Sequence, residues 1–244
     1  MKQTYLSVIV GAACVILGIA VAVLAYGLAA PQATLLGPAL VRVSNRREIA
    51  LTFDDGPSPY TGKVLDILRD RNVPATFFLC GRNAEAYPDV ARRILAEGHD
   101  IGNHTYSHPY LYLTREARIA GEIDRTQDIL FAITGRRPTL FRPPFGVRWF
   151  TLSRILAERG LTLAMWTIRE GDGGRDAATI TRATLASLRP GAIILLHDGF
   201  ETKPAVEIDR SQVVRALPAI IDGARRAGYT FVKLAKEAGP VALK

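Results

Sequence analysis

EIALTFDDGP, residues 48–57, is a short apolar run that ends abruptly in two carboxylates, a glycine and a proline. An apolar run of this length bounded by Gly and Pro predicts a buried strand that delivers Asp54 and Asp55 to its own C-terminal end. The arrangement recurs. Strand-like runs at 75–79, 99–103, 140–142, 161–166, 192–196 and 229–231 alternate with helical periodicity near 61–71, 88–97, 114–133, 151–158, 177–188 and 211–227. Gly98, Gly135, Gly160 and Gly228 each follow a helical segment, and Thr114 stands where a hydroxyl cap would open one. Repeated βα units predict a mostly parallel sheet, either open and doubly wound or closed into a barrel.

The chemically versatile side chains collect at the ends of these runs: Asp54 and Asp55 after the first, His104 and His108 after the third, Arg142 closing the fourth, Asp172 beyond the fifth, His197 ending the sixth. In a βα barrel all strand C-termini open on one face, so these residues would converge. Asp55, His104 and His108 supply two imidazoles and a carboxylate, a set suited to Zn²⁺ or another divalent transition metal. The spacing in HTYSH predicts one turn with both imidazoles on one side, stopped by Pro109. Asp54 and Asp55 cannot both face one atom from an extended backbone, so one ligates while the other handles a proton. Taken alone, Asp-Asp-Gly would be a β-turn. His197 is placed to act as a general acid, its unperturbed pKa being about 6.5, with a plain core histidine as the alternative. Arg142, fixed by the two prolines after it, is positioned to pair with a carboxylate such as Asp54.

TFDDGP at 52–57, HTYSH at 104–108, RPPFG at 142–146 and LLH at 195–197, in this order, resemble the NodB-homology polysaccharide deacetylases, carbohydrate esterase family 4. ATFFLCG at 75–81 and GHDIGNHT at 98–105 are similar to further stretches of that family. The resemblance implies a distorted (β/α)₇ barrel and metal-dependent, hydrolytic removal of an acetyl group from an N-acetylated sugar. It further implies metal ligation by Asp55, His104 and His108, usually to zinc, with Asp54 as general base and His197 as the acid for the departing amine. Arg142 would orient Asp54, the backbone N–H of Phe145 would hold the oxyanion, and Leu195 would line the pocket for the acetyl methyl. Asp172 would support His197. One departure stands out: the family's Trp after that Asp is replaced by Gly173, so a pocket wall is expected to be missing, and Trp166 is read as a core residue.

Composition bounds the rest. With 244 residues, 48% of them hydrophobic, and 2 Cys, the chain suits one sizeable core and excludes disorder or a disulfide scaffold. Cys14 and Cys80 are not expected to pair, and Cys80 reads as core. Residues 5–30 are almost continuously apolar and long enough to span a bilayer as a signal anchor, with secretion following if the segment is cleaved. The expected organisation is a transmembrane anchor at 1–30, a linker at 31–46 and the deacetylase domain at 47–240, on the extracytoplasmic side of a single-pass membrane protein. Lys2 is the one charged residue before Arg42, leaving 30 Lys and Arg against 23 Asp and Glu. That basic balance suits an anionic wall or lipid surface, and no motif points to nucleic acid. The expected partner is a polysaccharide or oligosaccharide with N-acetylglucosamine units, peptidoglycan first and chitin second, with no obligate protein partner. An O-acetyl esterase acting on xylan and a catalytically silent glycan-binding envelope protein are the alternatives. A cytosolic metallohydrolase conflicts with the apolar N-terminus.

Overall fold

A computed structural model describes residues 2–33, 35–112, 114–169, 172–200 and 209–237. Seven parallel strands form the centre: β1 (Glu48–Asp54), β2 (Thr76–Leu79), β3 (Asp100–Asn103), β4 (Leu140–Phe141), β5 (Thr162–Leu163), β6 (Ile193–His197) and β7 (Thr230–Phe231). Hydrogen-bonded neighbours run β5-β4-β3-β2-β1-β6, with β7 on the early part of β1. Beyond β5 the chain crosses to β6, where Ile168 bridges Ile194 and the Leu195 N–H donates to the Ile168 carbonyl at 2.9 Å. That contact curls the sheet on itself, giving the distorted (β/α) barrel.

Helices fill the connections: α1 (Lys2–Ala29) precedes the barrel, followed by α2 (Pro59–Asp70), α3 (Gly81–Ala86), α4 (Pro88–Ala96), α5 (Glu116–Thr134), α6 (Leu152–Ala157), α7 (Ala177–Ala186) and α8 (Ser211–Arg226). The strands are mostly buried and largely apolar, as parallel strands covered on both sides are, with Thr52, Thr76, Asp100 and Asn103 as buried polar exceptions. Ile49, Leu51, Phe53, Phe77 and Leu79 pack against Val64, Leu65 and Leu68 of α2 and Leu217, Ile220 and Ile221 of α8. Each such side chain contributes about 1.5–3 kcal/mol on burial. Cys80 is buried, as expected.

Several elements differ from expectation. Thr114 does not cap α5, because its hydroxyl donates to the Tyr110 carbonyl at 2.8 Å and Arg115 takes the cap position without a side-chain bond. The short α3 was not anticipated, since six residues are too few to show a helical period. Residues 40–43, expected within the linker, belong to the barrel: Leu40 bridges Ala164, Arg42 bridges Ala192, and Val43 is buried in the core.

Candidate active site

Strand register brings the polar residues together. β1 and β6 place Asp54 beside His197, and β3 and β4 place Asn103 beside Phe141, so that His104 and Arg142 leave the sheet as neighbours. Past β1 the chain turns sharply at Asp55, whose φ is 73°. Thr105, His108 and Phe145 also have positive φ, leaving Asn72 as the one described non-glycine example away from the site. Such conformations cost about 1–3 kcal/mol each and persist where the surroundings over-determine them.

The surroundings do so here. The Asn83 side chain of α3 donates to the Asp55 carbonyl at 2.6 Å. Gly199 passes so close that a Cβ there would overlap the same carbonyl. Behind the turn Ser58 caps α2, its hydroxyl bonding to the Asp198 carbonyl, and Thr61 donates to the buried Asp198 carboxylate at 2.5 Å. Burial and the neighbouring Asp55 push the Asp198 pKa up to about 7 against that hydrogen bond.

HTYSH does not form the expected helical turn. It folds as an irregular loop in which Thr105 N–H bonds back to the Asn103 side chain at 2.9 Å and Glu122 of α5 accepts from the Tyr106 and Ser107 N–H groups at 2.9 and 2.8 Å. The imidazoles still converge, with ring centroids 5.0 Å apart.

Asp55 Oδ1 lies 3.3 Å from His104 Nε2 and 3.2 Å from His108 Nε2, yet no donor is aimed well enough at it to form a hydrogen bond. The three donor atoms fall within 4.8 Å of one another. His104 Nδ1 donates to the Arg142 carbonyl at 2.7 Å, which turns Nε2 toward Asp55. An orphaned buried carboxylate oxygen and an imidazole aimed by an outer hydrogen bond are what a metal ligand set requires, so these residues fit a divalent cation. Burial opposes charge on Asp55, but contact with His104 and the surrounding imidazoles hold its pKa well below the carboxylate range. His108 falls to about 4 through burial and repulsion from His104. His104 is raised, because Asp54 and Asp55 outweigh the cost of burying its charge. Proton and metal therefore compete at His104. Zinc affinity is expected to rise with pH by about tenfold per unit until His104 is deprotonated, then level off. Calorimetric zinc titration across that range checks this, and a flat profile would contradict it.

The Asp54 carboxylate accepts from Arg142 Nη1 at 2.7 Å. Arg142, fully buried, spends its other donors on Thr52 Oγ1 at 2.8 Å and the carbonyls of Ala164 and Met165 at 3.1 and 2.9 Å, and lies 4.0 Å over the Phe78 ring. On the opposite side His197 Nδ1 donates to Asp172 at 2.8 Å, and the His197 N–H donates to the same carboxylate at 2.6 Å. Burial disfavours the imidazolium, but Asp172 more than compensates and raises the His197 pKa.

Asp54, Asp55, His104, His108, Phe145, Leu195 and His197 line one pocket together with Trp166 and Arg169. Trp166 thus differs from its reading as core alone. Its ring packs so tightly on Gly146 that a Cβ there would overlap it, while Gly173 faces open space. The pocket keeps an indole wall, supplied from the segment that follows β5 rather than from the residue after Asp172. Arg210, which precedes α8, was not foreseen from the sequence. It sits 3.7 Å from both Asp55 and Asp172 and donates to the Gly199 carbonyl at 2.7 Å.

Residues 42–164 match the profile of the polysaccharide deacetylase family. A peptidoglycan-N-acetylglucosamine deacetylase of Bacillus cereus is 41% identical over 192 residues, covering 78% of this chain and 68% of that protein. The chain belongs to the polysaccharide deacetylase family. A chitooligosaccharide deacetylase of Bradyrhizobium is 38% identical over 194 residues, covering 77% of this chain and 89% of its own length. The solved structure of the Bc1960 peptidoglycan N-acetylglucosamine deacetylase superposes with a TM-score of 0.76 at 38% identity, over 81% of this chain and 91% of that one. In this polysaccharide deacetylase the profile match runs from Arg42 to Ala164, which takes in the ends of β1, β3 and β4.

Proposed function

We propose that this polysaccharide deacetylase removes acetyl groups hydrolytically from an N-acetylated extracytoplasmic glycan, with peptidoglycan N-acetylglucosamine as the substrate the relatives favour. The observation that carries the reading is the convergence of Asp54 and His197, paired in register, on one pocket with the Asp55, His104 and His108 cluster. Those three residues would hold the metal, and their two-imidazole, one-carboxylate set favours zinc. A bound divalent metal supplies Lewis-acid polarisation of a carbonyl and lowers the pKa of an adjacent water.

The protein's own groups supply the proton traffic. Asp54, oriented by Arg142, takes the proton of the attacking water. The Phe145 N–H donates to the oxyanion, a role that needs its backbone only, so Phe serves in place of Tyr. His197, its pKa raised by the Asp172 carboxylate that holds it, gives its proton to the departing sugar amine. Leu195 and Trp166 form the apolar side of the pocket that receives the acetyl methyl. We further propose that α1 remains as a single-pass anchor. Its Ile9–Leu28 stretch is long and apolar enough to span, and a basic domain on the outer face would meet anionic wall or lipid.

Acetate release by the full chain in detergent with zinc, compared on peptidoglycan, chitooligosaccharides and acetylated xylan, tests the substrate. Release from the N-acetylated glycans is expected, peptidoglycan fastest; release from xylan alone would replace this reading with an esterase.

A further inference from the structure

The outer end of α1 does not lead into a free linker. Arg148 is buried at 1% exposure and lies two residues beyond Gly146 of the pocket wall. Its backbone N–H donates to the Leu28 carbonyl at 3.1 Å, and its guanidinium donates to the carbonyls of Ala30 at 2.9 Å, Pro31 at 3.2 Å, Gly37 at 3.4 Å and Ala33. Among the described residues Arg148 has no carboxylate partner. A helix end leaves carbonyls unpaired and carries partial negative charge, so a guanidinium that caps it makes a fixed joint.

The apolar span ends at Leu28, which therefore marks the edge of the hydrocarbon layer. Two residues of chain reach about 7 Å at most. The pocket wall at Gly146 thus lies about 10 Å or less from the Leu28 carbonyl, comparable with the headgroup layer of about 5–8 Å on each side of a bilayer. Tyr26, Leu35 and Phe150 are all more than half exposed near this joint, and Leu35 packs on Gly27 of the span. Apolar and aromatic groups exposed at that level suit the membrane interface and not bulk water.

We propose that α1 is a mount and not a tether: Arg148 locks its outer end to the segment just beyond the Phe145–Gly146 wall, so the pocket works at headgroup depth on an N-acetylated saccharide carried by a lipid. This rests on the deacetylase and anchor readings above.

The test uses the full chain reconstituted with zinc in phosphatidylglycerol–phosphatidylcholine vesicles. Acetate release is compared for N-acetylated chitotetraose free in solution and for the same tetrasaccharide coupled to a lipid in those vesicles. The parent is expected to favour the lipid-borne form by about tenfold or more. Two variants keep the anchor but lose the joint: Arg148→Ala, and a Gly/Ser insertion of about eight residues between Ala29 and Ala30, which adds about 15 Å of flexible reach. Both are expected to keep the parent's rate on free tetrasaccharide and to lose most of the preference. If Arg148→Ala does not fold, the insertion decides. Equal rates on the two substrates, an unchanged preference in the insertion variant, or a membrane-bound protein lacking α1 would overturn the mount. No release from either substrate by the parent would instead overturn the deacetylase reading beneath it.

Discussion

Asp54→Asn is expected to bind zinc as the parent does and to lose turnover by about 10²–10⁴-fold, the range for removal of a positioned general base. The carboxylate is not one of the three clustered donors, and its Oδ2 stands 3.9 Å from His104 Nε2. An amide of the same size still accepts from Arg142 but cannot take a proton. The substitution also strips a buried guanidinium of its counter-charge, and breaking a buried pair costs about 3–5 kcal/mol. A lowered melting temperature should therefore accompany the loss of activity. Arg142 keeps Thr52 and two backbone carbonyls as acceptors, so the fold should survive. Kinetics at saturating zinc, with metal content measured on the same preparation, check both halves. Retained turnover would take the base role from Asp54.

His104→Ala is expected to weaken zinc binding by more than about 100-fold, since removing even an outer partner of a ligand costs about 10–100-fold. His104 is the donor most firmly built in: its Nδ1 is tied to the Arg142 carbonyl, and its backbone N–H donates to the Leu79 carbonyl at 3.0 Å. Activity should fall with the metal and return in part when zinc is raised far above the parent's requirement. Unchanged metal content would remove His104 from the ligand set.

Much of this site is legible in the residues themselves. Asp54, Asp55, His104, His108, Arg142 and His197 all stand at or just beyond the end of a strand-like run, and a parallel sheet sends every such end to one face. The seven strands follow from the same runs. What pattern does not carry is the support beneath them. Asn83 lies on a helix too short to show a period, Arg210 precedes its helix as an ordinary surface residue would, and Glu122 looks like one more exposed acid on α5. Each matters through a contact between elements distant in sequence, set only when the barrel closes. Trp166 shows the same effect: its position in a strand-like run reads as core, and only the folded chain reveals that it also lines the pocket beside Gly146.

Metal-dependent N-deacetylation is the chemistry that these strand ends are built for. It is tested most directly by acetate release from chitooligosaccharide by the full chain in detergent, before chelation, after chelation and after zinc is returned, with Asp54→Asn alongside. The expected result is release that chelator abolishes and zinc restores in the parent alone. Release that ignores the chelator, or a zinc-loaded parent that frees no acetate, would contradict it.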